Sequence, residues 1–158
     1  MHKTKNSLAL EIREKVIGLL QVRLAEAIDL FCQTKQAHWT VRGMSFIALH
    51  ELFDKVAEEV EEYTDTIAER LMQLGGVTEG TVKLVAKNTT LSDYPISTAT
   101  GQDHANALST VLAQFAGNCR KAIDQTADWD DMVTSDMFTT ITGELDKLVW
   151  FVEAHIEA

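Results

Sequence analysis

Apolar residues recur along this chain at alternating spacings of three and four, and the longest such series lies between residues 46 and 74. Phe46, Leu49, Phe53, Val56, Val60, Tyr63, Ile67, Leu71 and Leu74 fall on one stripe of a single helix. From Met44 to Leu74 that helix would run about 46 Å at 1.5 Å per residue. Ahead of it, Ile12, Val16, Leu19, Leu20, Leu24, Ala27 and Phe31 predict a helix that starts after a cap at Asn6 or Ser7 and reaches about Val41. Arg42-Gly43 turns the chain back, and Gly75-Gly76 stops the long helix. A third helix, with Leu108, Leu112, Phe115, Cys119 and Ala122 inward, opens at Thr100-Gly-Gln-Asp103, close to a capping box with Asp in place of Glu. Asp128-Trp-Asp-Asp131 breaks it. A fourth helix then carries Val133, Met137, Ile141, Leu145, Leu148, Val152 and Ile156.

Between Val77 and Thr100 no period is sustained, and the only proline, Pro95, lies there. A connection this long inside a compact domain needs a reason. A four-helix bundle supplies one: the chain crosses over the length of the bundle, so that the helices before and after run the same way. A short helix is expected within it, at Thr81 to Lys87 or at Leu91 to Tyr94. The expected fold is therefore all-α, a single domain over residues 1–158 built as a four-helix bundle with a long crossover carrying a short extra helix.

A second, polar pattern rides the long helix. His50 and Asp54, then Asp65 and Glu69, are two pairs at i, i+4. At about 100° per residue all four share one arc, roughly 140° from the apolar stripe, and so face out of their own bundle. Asp54 and Asp65 are separated by about 16 Å along the axis, too far for one ion with ligand bonds near 2 Å. Yet His50 and Glu69, and likewise Asp54 and Asp65, are placed symmetrically about the point between residues 59 and 60. Two antiparallel copies crossing there would set His50 against Glu69 of the partner and Asp54 against the partner's Asp65. A two-fold contact is self-complementary, so it would hold two identical sites. Ile47 and Met72 obey the same symmetry and would add apolar contact, while Glu58 and Glu61 would meet as like charges. The alternative is that the four polar residues form a solvated face.

Composition narrows the partners. Hydrophobic residues make up 46% and charged residues 24%, ordinary for a globular chain. No apolar run is long enough to span a membrane, and Met1-His2-Lys3-Thr4-Lys5 lacks the apolar core of a signal peptide; a cytoplasmic protein is expected. Cys32 and Cys119 fall in apolar helical stretches and are expected as buried free thiols. The net charge of −10 attracts divalent cations and repels nucleic acid phosphate.

The run H-W-x-V-x-G-x-x-F-x-x-L-H-x-x-F-D from His38 to Asp54, followed eleven residues later by D-x-x-x-E-R at Asp65 to Arg70, resembles the ferroxidase signature of the Dps proteins. These are mini-ferritins, also called DNA-binding proteins from starved cells. The likeness continues through Gln102-Asp-His104 and L-D-K-x-x-W at Leu145 to Trp150. It implies a ferritin-like four-helix subunit and a hollow shell of about twelve subunits with tetrahedral symmetry, a dodecamer. It also implies that His38, His50 and Asp54 of one subunit meet Asp65 and Glu69 of its two-fold mate. Family members that bind DNA through a terminal arm carry a lysine- or arginine-rich one. Here only Lys3 and Lys5 precede the first helix, and the chain ends Glu153-Ala-His-Ile-Glu-Ala158, so tight DNA binding is not expected.

Imidazole with carboxylate suits Fe(II), Mn(II) or Zn(II), and no thiolate competes. His38, His50 and Asp54 are candidate direct ligands. Glu69 is the candidate to bridge two ions or bind one through both oxygens, and Asp65 is either a ligand or an acceptor that fixes a histidine N–H. Trp39, beside them, is either an electron donor that quenches over-oxidised species or a packed aromatic. The ligand types alone would also allow a zinc-dependent bundle hydrolase. The resemblance instead implies a ferroxidase that oxidises Fe(II), preferentially with hydrogen peroxide, and stores Fe(III) mineral against oxidative stress, with zinc as a competitor for the site. A nucleoid-compacting shell is the other alternative. No Glu-x-x-His occurs, the spacing that di-iron bundles with an internal site use. Asp128, Asp131 and Asp136 resemble the acidic lining of the family's three-fold pores, although Asp130 or Asp131 could instead cap a helix. Glu51, Glu58 and Glu62 are candidates for mineral nucleation. His104 reads as a hydrogen-bonded residue in a helix's first turn, and His2 and His155 as solvent-exposed.

Overall fold

The computed structural model describes residues 1–156. It contains α1 (Leu10–Thr40), α2 (Phe46–Gln73), α3 (Val82–Asn88), α4 (Gly101–Asp128) and α5 (Met132–Glu153), with no strand among the described residues. The four long helices enclose one core. Leu20, Leu24 and Leu30 of α1 meet Phe53, Val60, Ile67 and Leu71 of α2, Leu108, Leu112, Phe115 and Cys119 of α4, and Phe138 and Leu145 of α5. Each fully buried Leu or Phe is worth about 1.5–3 kcal/mol of transfer free energy, which outweighs helix propensity in holding the helices. Phe138 takes the core position on α5, while Met137 packs only at its edge and Val133 is exposed. The expected stripe is thus displaced by one residue at that helix's start.

Two end motifs set the lengths. At the end of α2, Gly75 N–H donates to Met72 O and Gly76 N–H to Leu71 O, both at 3.0 Å, a Schellman closure with Gly75 at φ 91°. At the end of α4, Asp130 N–H donates to Ala127 O and Asp131 N–H to Thr126 O, with Asp130 itself in the left-handed region at φ 61°. Asp131 then accepts from Thr134 N–H and caps α5. The start of α4 is a full capping box between Thr100 and Asp103, as its sequence predicts. The start of α1 differs from expectation. Asn6 accepts from Leu8 N–H in a local turn, and the helix opens only at Leu10, with no side-chain cap at Ala9.

The crossover puts α2 and α4 parallel. The N-terminal ends of the two lie together where Gly101 approaches Leu49, and their C-terminal ends where Arg70 meets Asp131. Polar residues that no periodicity flagged strap this crossover down. Glu26, fully buried on α1, accepts from Arg23, Thr90 and Asn118; Asp29 accepts from Thr89; Gln33 donates to Ser92 O. Burial pushes the Glu26 carboxyl above the ordinary carboxylate range, against the charge of Arg23. No helix among the described residues is long and apolar enough to cross a membrane.

Candidate functional site

His38 lies in the last turn of α1 and His50 in the second turn of α2, on either side of the five-residue link at 41–45. Val41 and Leu49, both buried, hold that link against the core, so the two histidines are brought face to face. Their rings stack at 3.7 Å between centroids and 21° between planes. Each anchors the other: His38 Nδ1–H donates to His50 O at 2.8 Å, and His50 Nδ1–H donates to His38 O at 2.9 Å. A carbonyl can only accept, so Nδ1 carries the proton in both rings, and in a neutral ring Nε2 is then the nitrogen with the free lone pair. That is the arrangement by which a backbone carbonyl fixes the tautomer of a metal-ligating histidine. Phe46 backs His50 at 5.0 Å.

Asp54, one turn beyond His50, reaches the same place, with Oδ1 3.8 Å from His38 Nδ1. It is not free. Lys35, one turn before His38 on α1, donates to Asp54 Oδ1 at 2.6 Å. This hydrogen bond, with the charges of His38, Lys35 and His50, holds the Asp54 carboxyl below its ordinary value. Sequence reasoning missed Lys35. Its signal was present, because Lys35 and His38 are i, i+3 neighbours on one helix face, but nothing in one dimension showed that α2 would bring a carboxylate to it.

The other two candidates stand apart within the chain. Asp65 and Glu69 are exposed on the outer face of α2, beyond the reach of His38 and His50, and neither forms an ion pair among the described residues. Among those residues no three His, Cys, Asp or Glu side chains are placed to hold one ion. Trp39 is 69% exposed, so packing within its own chain does not account for it. Ile47 at 60% and Met72 at 41% are exposed on the same side of α2. Glu51, Glu58 and Glu62 are also exposed, Glu58 and Glu62 with Glu59 and Glu61 around one acidic hollow.

Two expectations change. Asp131 is 1% exposed, its carboxylate bound by Arg70 Nη2 at 2.8 and 3.1 Å and by Thr134, so it cannot line an acidic pore. The capping alternative holds, and Asp128 and Asp136 remain on the surface. Cys32 is exposed rather than buried, because it lies on the outer side of α1; Cys119 is buried, and burial pushes its thiol up. His104 is hydrogen-bonded in the first turn of α4, and His2 and His155 are exposed, as read from the sequence. Glu157 and Ala158, at the end of the non-basic C-terminal stretch, lie outside the described residues.

The ferritin-like domain matches residues 17–158. A protein of Agrobacterium fabrum named "DNA protection during starvation protein" is 44% identical over 99% of this chain and 96% of its own. The chain belongs to the Dps family. A Mycolicibacterium smegmatis protein of the same name is 38% identical over 90% of this chain and 78% of its own. Among solved structures, a tetragonal form of Mycobacterium smegmatis Dps superposes with a TM-score of 0.93 at 36% identity, covering 99% of this chain and 95% of that one. The ferritin-like, all-α fold read from the periodicity and the Dps signature is thereby established.

Proposed function

We propose that this Dps chain is a ferroxidase and iron-storage protein. Two antiparallel copies of α2 would bring His38, His50 and Asp54 of one subunit to Asp65 and Glu69 of the other, giving two identical sites per pair. Fe(II) is the substrate. Two Fe(II) ions supply the two electrons that reduce one hydrogen peroxide to two waters, with uptake of two protons, so no hydroxyl radical need be released. Fe(II) would enter a tetrahedral dodecamer past Asp128 and Asp136, and the Fe(III) formed would hydrolyse and mineralise inside it, nucleating at Glu51, Glu58 and Glu62. Zn(II) would compete for the same ligands, since it stands above Fe(II) in intrinsic affinity. Trp39, next to His38 in the sequence, would return an electron to an over-oxidised site.

The observation that carries this reading is the reciprocal pair of Nδ1–carbonyl bonds. Two imidazoles are held with lone pairs available, beside an ionised carboxylate, on a face whose acidic complement is mirrored eleven residues along the same helix. A zinc hydrolase acting as a monomer would need its ligands within one chain, and the described residues do not assemble them.

The relatives' name raises DNA as a second partner. The net charge of −10 opposes it, and so does the N-terminal segment. His2 N–H donates to Gly75 O at 2.8 Å, His2 Nε2–H to Met72 O at 3.0 Å, and Thr4 to Gln73 O at 3.4 Å. These bonds cap the last carbonyls of α2 and tie the residues flanking Lys3 to the body. Protection of DNA by removing Fe(II) and peroxide needs no contact with it.

Stopped-flow oxidation of Fe(II) by peroxide and by oxygen tests the proposal. Peroxide is expected to act much faster than oxygen, and His50→Ala and Glu69→Ala each to lose most of the rate. Co-assembling the two variants in equal amounts makes half the pairs mixed, each with one intact site, and about a quarter of wild-type activity should return. Full activity in both single variants would sink the ferroxidase; no recovery on mixing would sink the shared site.

A further inference from the structure

The crossover after α3 is held in two unlike ways. Thr89 to Ser92 is bound from both sides: by Glu26, Asp29 and Gln33 of α1, and by Gln114 of α4, which accepts from Ser92 N–H and Oγ–H at 3.1 Å and donates to Thr90 O at 3.0 Å. From Asp93 to Ala99, one hydrogen bond reaches the bundle among the described residues. It joins Tyr94 Oη to His104 Nδ1 at 2.5 Å. His104 is 1% exposed in the first turn of α4, and its Nε2 is buried without a partner. A surface cavity of about 420 Å³, lined by Tyr94, Pro95, Thr98, Asp103 and Asn106, lies against this segment.

We propose that Tyr94 and His104 form an acid-released latch: protonating His104 frees residues 93–99 from α4 while the four long helices and the Thr89–Ser92 clamp stay in place. Burial pushes the Tyr94 hydroxyl up to about 12, so it remains a donor and His104 Nδ1 must accept; the neutral ring then carries its proton on Nε2. Adding a proton abolishes that acceptor and places a cation in a site where Nε2–H still has no partner. The charged groups acting on the ring are Asp103, which favours the cation, and Arg42 at the α1–α2 link, which opposes it; burial opposes it most and holds the imidazole below its ordinary value. The folded latch therefore binds the proton less well than the released chain. Its contribution is whole above the ordinary histidine pKa of about 6.5 and is lost as pH falls through and below it.

Hydrogen exchange read by mass spectrometry on the assembled, metal-free protein tests this, with rates corrected for the intrinsic effect of pH. Between about pH 7.5 and pH 5, the amides of residues 93–99 should lose about tenfold in protection, while those of 89–92 and α1 keep theirs. His104→Gln, whose amide oxygen can accept from Tyr94 but does not titrate, should show no such loss. Tyr94→Phe should be open already at neutral pH. Unchanged wild-type protection at acid pH, or equal acid loss in His104→Gln, would overturn the latch. If His104→Gln does not fold, closed behaviour of Tyr94→Phe at neutral pH would do the same.

Discussion

Lys35 shows how much one side chain decides. Its ammonium occupies an oxygen of Asp54 that an incoming metal ion would need, so the proposed site would have its own internal cation. Replacing it should therefore favour binding. Lys35→Gln is expected to tighten Co(II) at this site by about tenfold, the scale on which neighbours of metal ligands act. Titration of the visible Co(II) absorption would read this, and unchanged affinity would mean that Lys35 yields without cost. The histidines were legible in the sequence because His38, Trp39 and His50 sit in a long, specific run. Lys35 was not, because its partner lies 19 residues away and comes near only when α1 and α2 fold together.

Helix ends carry the next level of argument. Arg70 and Asp131 are buried together at the end of α2 and the start of α5, and Asp131 also caps α5 through Thr134. Removing the carboxylate would leave a buried guanidinium unpaired, so Asp131→Ala should cost about 3–5 kcal/mol. Urea unfolding reads the change; a loss below about 1 kcal/mol would mean that water replaces the carboxylate. Asp130 presents the opposite case. It holds a left-handed backbone that glycine adopts freely, and a β-branched side chain there should be strained, so Asp130→Val is expected to lose about 1–2 kcal/mol in the same experiment. Both helix stops, at Gly75-Gly76 and at Asp128 to Asp131, were readable from residue type. Which aspartate became the cap was not, since either could have filled the role until Arg70 arrived from α2.

For the whole molecule, the unpartnered face of α2 is the decisive surface. Ile47 and Met72 are exposed in the single chain and are related by the same symmetry that relates His50 to Glu69. If copies pair there, Ile47→Asp places a charge inside an apolar contact at both ends of the interface. Size exclusion with light scattering should then show a shift from a large assembly toward monomer. An unchanged elution would move the interface elsewhere. A gel shift with duplex DNA should show no retention at physiological salt, because a chain of net charge −10 meets phosphate as a like charge.

Residue spacing and residue type determined the four long helices, their stops, the parallel crossover and the outward face that bears the candidate ligands, because each is set by residues close together along the chain. Only the tertiary structure decided the rest: the crossed Nδ1 bonds between His38 and His50, the ammonium of Lys35 on Asp54, the burial of Asp131 under Arg70, and the pairing of Tyr94 with His104. Each joins side chains from elements distant along the chain. Their meeting depends on how the helices pack, which no one-dimensional period contains.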